Sequence, residues 1–231
     1  SASPAAICFD GSTSTLTATG ATSFVWLPAG NLNNAAIASP VFTPAAAGPV
    51  TFTVTGTDAN SCTNTATTTV TVNALPTIVA SAAPAAICLG GTSTLDGSGA
   101  DTYAWTPAAE LSDPAIFNPV FTPSATGNTT FSVTGTDVNG CTNSATTTVT
   151  VNSVPTVVAV AGPATICFDG STSTLTGSGA TNYAWTPIID LTNPNTAAAT
   201  FTPSVSGNFT YTVTGVDGNG CSNTASATVT V

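Results

Sequence analysis

The chain has 231 residues, a formal charge of −10, and no Lys, Arg or His. Without a cationic side chain it cannot form a side-chain salt bridge or neutralise the phosphates of DNA, RNA or an anionic membrane. It also lacks the usual general base for a Ser or Thr nucleophile, and it offers trypsin-like proteases no site to cut.

Three copies of one unit follow each other. Trp26, Trp105 and Trp185 recur about every 80 residues, and so do the first cysteines, Cys8, Cys88 and Cys167. The second cysteines, Cys62, Cys141 and Cys221, keep the same period. The repeats divide the chain into 1–72, 73–151 and 152–231. In repeat one, AICFDGSTSTLTATG predicts a turn at Asp10-Gly11 and a half-buried strand around Leu16. Phe24 and Trp26 then share one face of a strand that Pro28 ends. An Asn/Ala-rich loop leads to the short strand VFTP. PVTFTVTGTD alternates strictly, with Phe52 and Val54 on one face; the DANS turn then leads through Cys62 into TATTTVTV. Repeats two and three reproduce the scheme. Six or seven short Thr/Val-rich strands per repeat predict an all-β protein, three tandem immunoglobulin-like β-sandwiches in a rod on the order of 100 Å long. The last two strands of each repeat should form a hairpin around D-x-N-G/S.

The linkers VNALPT and VNSVPT have no Gly/Ser tract and should be short and stiff. Repeats two and three open with NALPTIVASAAPAAIC and NSVPTVVAVAGPATIC, whereas repeat one begins at SASPAAIC. Its first strand is expected to be missing, and the chain is expected to be a processed product or part of a longer one. No apolar run approaches the ~20 residues of a membrane helix, so insertion of that kind is not expected.

Six cysteines allow two simple repeating patterns. Pairing within repeats joins Cys8–Cys62, Cys88–Cys141 and Cys167–Cys221, and it is the preferred expectation because it uses all six. Pairing across junctions joins Cys62–Cys88 and Cys141–Cys167. Either way, disulfides imply an oxidising compartment outside the cytoplasm.

Each unit reads I-C-x-[GD]-G-[ST]-x-x-L, then Y-x-W-x-P, then V-T-G-x-D-x-N-G-C, then T-x-T-V-T-V. It resembles the immunoglobulin-like and PKD-like repeats of Bacteroidota cell-surface adhesins and gliding-associated proteins. Repeat one departs at Phe24, where the pattern has Tyr, and at Ser61, where it has Gly. The resemblance implies a strand sandwich and a cell-surface location, without implying a ligand.

Candidate sites each have two readings. Asp58/Asn60, Asp137/Asn139 and Asp217/Asn219 supply hard oxygens for calcium, but the same residues are what a tight turn demands, and turn chemistry is preferred. Asp10-Gly11 and Asp169-Gly170 are replaced by Gly90-Gly91 in repeat two, which favours backbone geometry over charge. Glu110 and Asp113 are a carboxylate pair that the other repeats lack, and they read as a solvated loop. Trp26, Trp105 and Trp185 read as core residues beside a disulfide, with sugar stacking as the alternative. No catalytic residue and no cofactor is expected. The expected role is a structural component of an extracellular filament or adhesin stalk, completed in repeat one by a strand from a neighbour. Its partners would be copies of itself or adjacent repeats, with an adhesin that binds a glycan or host protein through loops of repeats two and three as the alternative.

Overall fold

The computed structural model describes residues 1–231 and contains 21 β-strands, seven per repeat, and no helix. Thr and Val at alternating positions put every second side chain on one face, and a second sheet covers that face. Repeat two shows the scheme. One sheet holds Val79–Ala83, Ser93–Ser98 and Val120–Phe121, all antiparallel. The other holds Thr102–Thr106, Gly127–Thr136 and Thr142–Asn152, with Ala86–Cys88 added in parallel along its edge. The chain therefore changes sheets between Ala83 and Ala86, turning at Pro84. Ser93, fully buried, donates its hydroxyl to the Pro84 carbonyl at 2.8 Å. Ser14 and Ser173 do the same to Pro4 and Pro163. A buried hydroxyl with a partner costs little, and here it fixes the corner where the strand crosses over.

Each repeat has its own core, built from the same positions. In repeat one these include Ile7, Leu16, Trp26, Phe42, Phe52, Val54, Val70 and Val72. In repeat two they are Ile87, Leu95, Trp105, Phe121, Phe131, Val133, Val149 and Val151. Repeat three repeats the set with Ile166, Leu175, Trp185, Phe201, Tyr211, Val213 and Val229, and adds Val157. The three Trp are each 1% exposed, and their indole N–H groups donate to Ile37, Ile116 and Thr196 carbonyls at 3.0–3.2 Å. Their polar handle is spent inside the protein, as burial of an indole requires. Edge-on Phe42–Phe52 and Phe121–Phe131 pairs, with centroids 5.0 and 4.9 Å apart, fill the space beside them.

The cysteines do not pair within repeats. The disulfides are Cys8–Cys141 and Cys88–Cys221, while Cys62 and Cys167 are free thiols at the surface. Both expected patterns are corrected by the geometry of one strand. Cys62 immediately precedes Thr63–Asn73, and Cys8 lies opposite Asn73 at its far end. Eleven strand residues span about 36 Å, whereas the two bridged pairs have Cα–Cα distances of 5.5 and 5.6 Å. The two cysteines of one repeat stand at opposite poles. A first cysteine can reach only the second cysteine of the repeat that follows.

Tyr211 occupies the core position that Phe52 and Phe131 hold in the other repeats. It is 1% exposed and donates its hydroxyl to the Ile189 carbonyl at 2.9 Å. Burial, with the Asp190 carboxylate adding to it, pushes the phenol up to about 12. The neutral phenol is favoured in the fold, so its contribution is complete below the unfolded value near 10 and is lost as pH rises through about 12. Alkaline titration of phenolate absorbance should show a component with a midpoint near pH 12 that disappears in Tyr211→Phe. A Tyr211→Phe protein should also lose less stability than the parent above pH 10.

Candidate functional site

The D-x-N-G/S turns are built around one carboxylate oxygen each. Asp137 Oδ1 accepts the N–H groups of Asn139 and Cys141 at 2.9 and 2.8 Å. Asp58 does the same for Asn60 and Cys62, and Asp217 for Asn219 and Cys221. The next-to-last turn residue has positive φ in every case: Ser61 at 66°, Gly140 at 79° and Gly220 at 82°. These carboxylates are engaged by their own turns, and no group of three or more His, Cys, Asp or Glu residues stands close enough to hold a metal ion. Gly11, Gly90 and Gly170 have φ values of 92–96°, but Leu89 precedes Gly90 where Asp10 and Asp169 precede the others, and the stretch from cysteine to buried serine is one residue shorter in repeat two.

Glu110 and Asp113 serve loop geometry separately. Glu110 Oε1 accepts the Ser124 N–H at 2.8 Å, and Asp113 Oδ1 accepts that of Ala115. Hydrogen bonds from Ser124 hold the Glu110 carboxyl below its usual range. Its structural counterpart is Asp190, which binds Ser204 in the same way. The two positions share a positive φ of 67° and 60°, as does Asn31 of repeat one at 67°.

What the structure does bring together lies at the junctions. Cys8 sits opposite Asn73, where the linker leaves repeat one. Cys141 ends the Asp137 turn of repeat two, and two residues on, Asn143 Nδ2 donates to the Pro76 carbonyl at 3.0 Å. Linker and disulfide thus cross the junction side by side. The second junction repeats this, with Cys88 opposite Asn152 and Asn223 Nδ2 on the Pro155 carbonyl at 3.0 Å. Two tethers resist bending better than one, and Cys141 and Cys221 are each only 1% exposed.

The linker also packs into the repeat that it enters. A Cβ placed on Gly99 would collide with the Thr77 carbonyl, and one on Gly179 with that of Thr156. Ile78 lies against Gly135, and Val157 against Gly215. In repeat one the corresponding places are open. A Cβ on Gly20 would meet nothing within 4 Å, and Gly56 is approached only by Ala21 and Phe24. Val54 is 8% exposed, where Val133 and Val213 are 0%. Thr19 makes no backbone hydrogen bond, although its counterpart Ser98 pairs with Val79. Asn64 is oriented by the same Oδ1 bond to the next N–H as Asn143 and Asn223, but its Nδ2 meets no acceptor in the chain. These residues line one groove of about 470 Å³, and Cys62 stands on its wall. Phe24 lies in it too. It lacks the hydroxyl with which Tyr103 and Tyr183 both donate to and accept from the backbone of Ala100 and Ala180.

Comparison with known proteins places the third repeat. Residues 158–231 match the K319L-like PKD domain model. That repeat is similar to a PKD domain. Among solved structures, the N-terminal eight Ig domains of Down syndrome cell adhesion molecule are 16% identical at a TM-score of 0.47, covering 98% of this chain and 35% of that one. The chain spans about a third of the length of that relative. Mouse protocadherin-24 EC1-3 is 11% identical at a TM-score of 0.35, covering 97% of this chain and 95% of that one. Such likenesses concern the fold alone. No curated protein matches the chain.

The packed linker separates two otherwise similar glycines. Gly20 and Gly99 have φ of 89° and 98°, so alanine at either should cost about 1–2 kcal/mol of backbone strain. Gly99→Ala must also displace the Thr77 carbonyl, adding about 1–3 kcal/mol. Denaturant unfolding of the two variants should therefore show Gly99→Ala as clearly the more damaging, and equal costs would contradict the packing described.

Proposed function

We infer that the protein is a structural element of an extracellular, cell-surface filament or adhesin stalk, in which stacked repeats complete one another. The observation that carries this reading is the groove of repeat one. It has the shape, the unpaired backbone and the waiting amide of a site that the other two repeats fill with a P-T-[I/V]-V linker strand. A strand of that type, carried by a repeat standing ahead of repeat one, supplies main-chain hydrogen bonds at Thr19, a carbonyl for Asn64 and an apolar side chain over Gly56. Disulfides across both junctions support a location outside the cytoplasm and a mechanical role. A surface without Lys or Arg suits persistence among trypsin-like proteases. The motif resemblance to Bacteroidota surface repeats favours the same setting. The chemistry of this reading is that of holding, and it is supported by Trp residues buried in the cores and by Asp58, Asp137 and Asp217 carboxylates bound within their own turns.

A peptide with the sequence of residues 73–80, NALPTIVA, tests the groove directly. It should bind the chain, raise its melting temperature and protect the Thr19 amide from hydrogen exchange. Gly20→Ala should abolish binding, because its Cβ occupies the place where a linker carbonyl passes in repeats two and three. A peptide that neither binds nor protects, or that binds Gly20→Ala equally well, would contradict the reading.

A further inference from the structure

The two bridges are one rule applied twice. In each, the first cysteine of a repeat joins the second cysteine of the next, across a sequence separation of 133. The rule leaves one thiol at each end of the series: Cys62, the second cysteine of repeat one, and Cys167, the first cysteine of repeat three. Their surroundings resemble those of their bridged counterparts, with one difference: Cys8 and Cys88 end strands paired with Asn73 and Asn152, whereas the edge at Cys167 is reduced to the Thr165–Thr230 bridge. The Cys62 N–H is held by Asp58 Oδ1 at 2.9 Å, as those of Cys141 and Cys221 are held by Asp137 and Asp217 at 2.8 and 2.9 Å. Cys167 follows the buried Ile166 as Cys8 follows Ile7 and Cys88 follows Ile87. Both thiols are exposed, and they belong to opposite halves of the same type of bridge.

We propose that Cys167 of one copy forms a disulfide with Cys62 of the next, so that copies join head to tail by the same rung that joins repeats within the chain. This rests on the stacking of repeats inferred above and deepens it by naming the partner, a second copy of this chain, and the bond. The two thiols surrender two protons and two electrons to a disulfide oxidant. One thiolate first attacks the oxidant to give a mixed disulfide, and the other thiolate then displaces the second oxidant thiol. With glutathione disulfide as oxidant, each new rung yields two molecules of reduced glutathione. Polarity is built in, because first cysteines meet only second cysteines in the two existing bridges.

The test is oxidation of the purified chain by glutathione disulfide, read on a non-reducing gel and by mass spectrometry of the linked peptides. The parent chain should give a ladder of covalent oligomers whose linkage is Cys62–Cys167. Cys62→Ser and Cys167→Ser should each remain monomeric alone, and an equal mixture of the two should stop at a dimer. Dimers formed by either variant alone, or a mixture that yields no dimer, would overturn the proposal. The Cys167→Ser variant, whose altered residue lies outside the groove, separates the two claims, since it cannot extend a ladder and should still bind the residue 73–80 peptide. Peptide binding without a ladder removes the disulfide and leaves the groove reading standing; a ladder without peptide binding does the reverse.

Discussion

The structure depends on what crosses from one repeat to the next. Each sandwich has a sufficient core of Trp, Phe, Leu and Val, but its open pole is finished by residues that belong to the connection: Ile78 over Gly135, Val157 over Gly215, and a proline carbonyl on Asn143 or Asn223. A disulfide runs beside each connection. Small all-β units bury a modest share of their surface, and a unit capped by its own linker and tied to its neighbour by a disulfide gains order from the stack. Stiffness is a consequence of this construction. A junction with two tethers and a packed linker does not behave as a free hinge.

Much of the fold was legible in the sequence because the responsible signals are local. Strict alternation in TFTVTGTD fixes which face is buried, and D-x-N-G demands a tight turn with a positive φ; the three Trp reach the core as expected, but from the edge strands of their sheets and not from central ones. Gly90-Gly91 is not a like-for-like replacement of Asp-Gly: the positive φ lies on its first residue, Gly90, and on the second residue of Asp10-Gly11 and Asp169-Gly170. The expectation that repeat one lacks its first strand is corrected: Ala2–Ser3 forms one and pairs with Leu16 and Thr15, and what differs from the other repeats is the absence of pairing further along, at Thr19.

The disulfides were not legible, for a reason of geometry. A translationally repeating chain admits several repeating pairings, and spacing along the sequence cannot rank them. Deciding requires knowing that Ala6–Cys8 runs parallel to Thr63–Asn73, which sends Cys8 to the pole opposite Cys62. Parallel pairing of a three-residue edge strand leaves no periodicity to read. The groove was hidden for a similar reason: its walls, Gly20, Gly56 and Asn64, are unremarkable letters until the linker that covers their counterparts is in place. Glu110 found its counterpart in Asp190 through a shared loop shape, not through the carboxylate nearest to it in sequence.

Sharing across junctions is most directly tested by mapping the native disulfides. The unreduced chain, alkylated at its free thiols and cleaved at aspartates, should yield linked peptides containing Cys8 with Cys141 and Cys88 with Cys221, with the alkyl groups on Cys62 and Cys167. Peptides joining Cys8 to Cys62, or Cys88 to Cys141, would return each bridge to the inside of a single repeat and contradict the account.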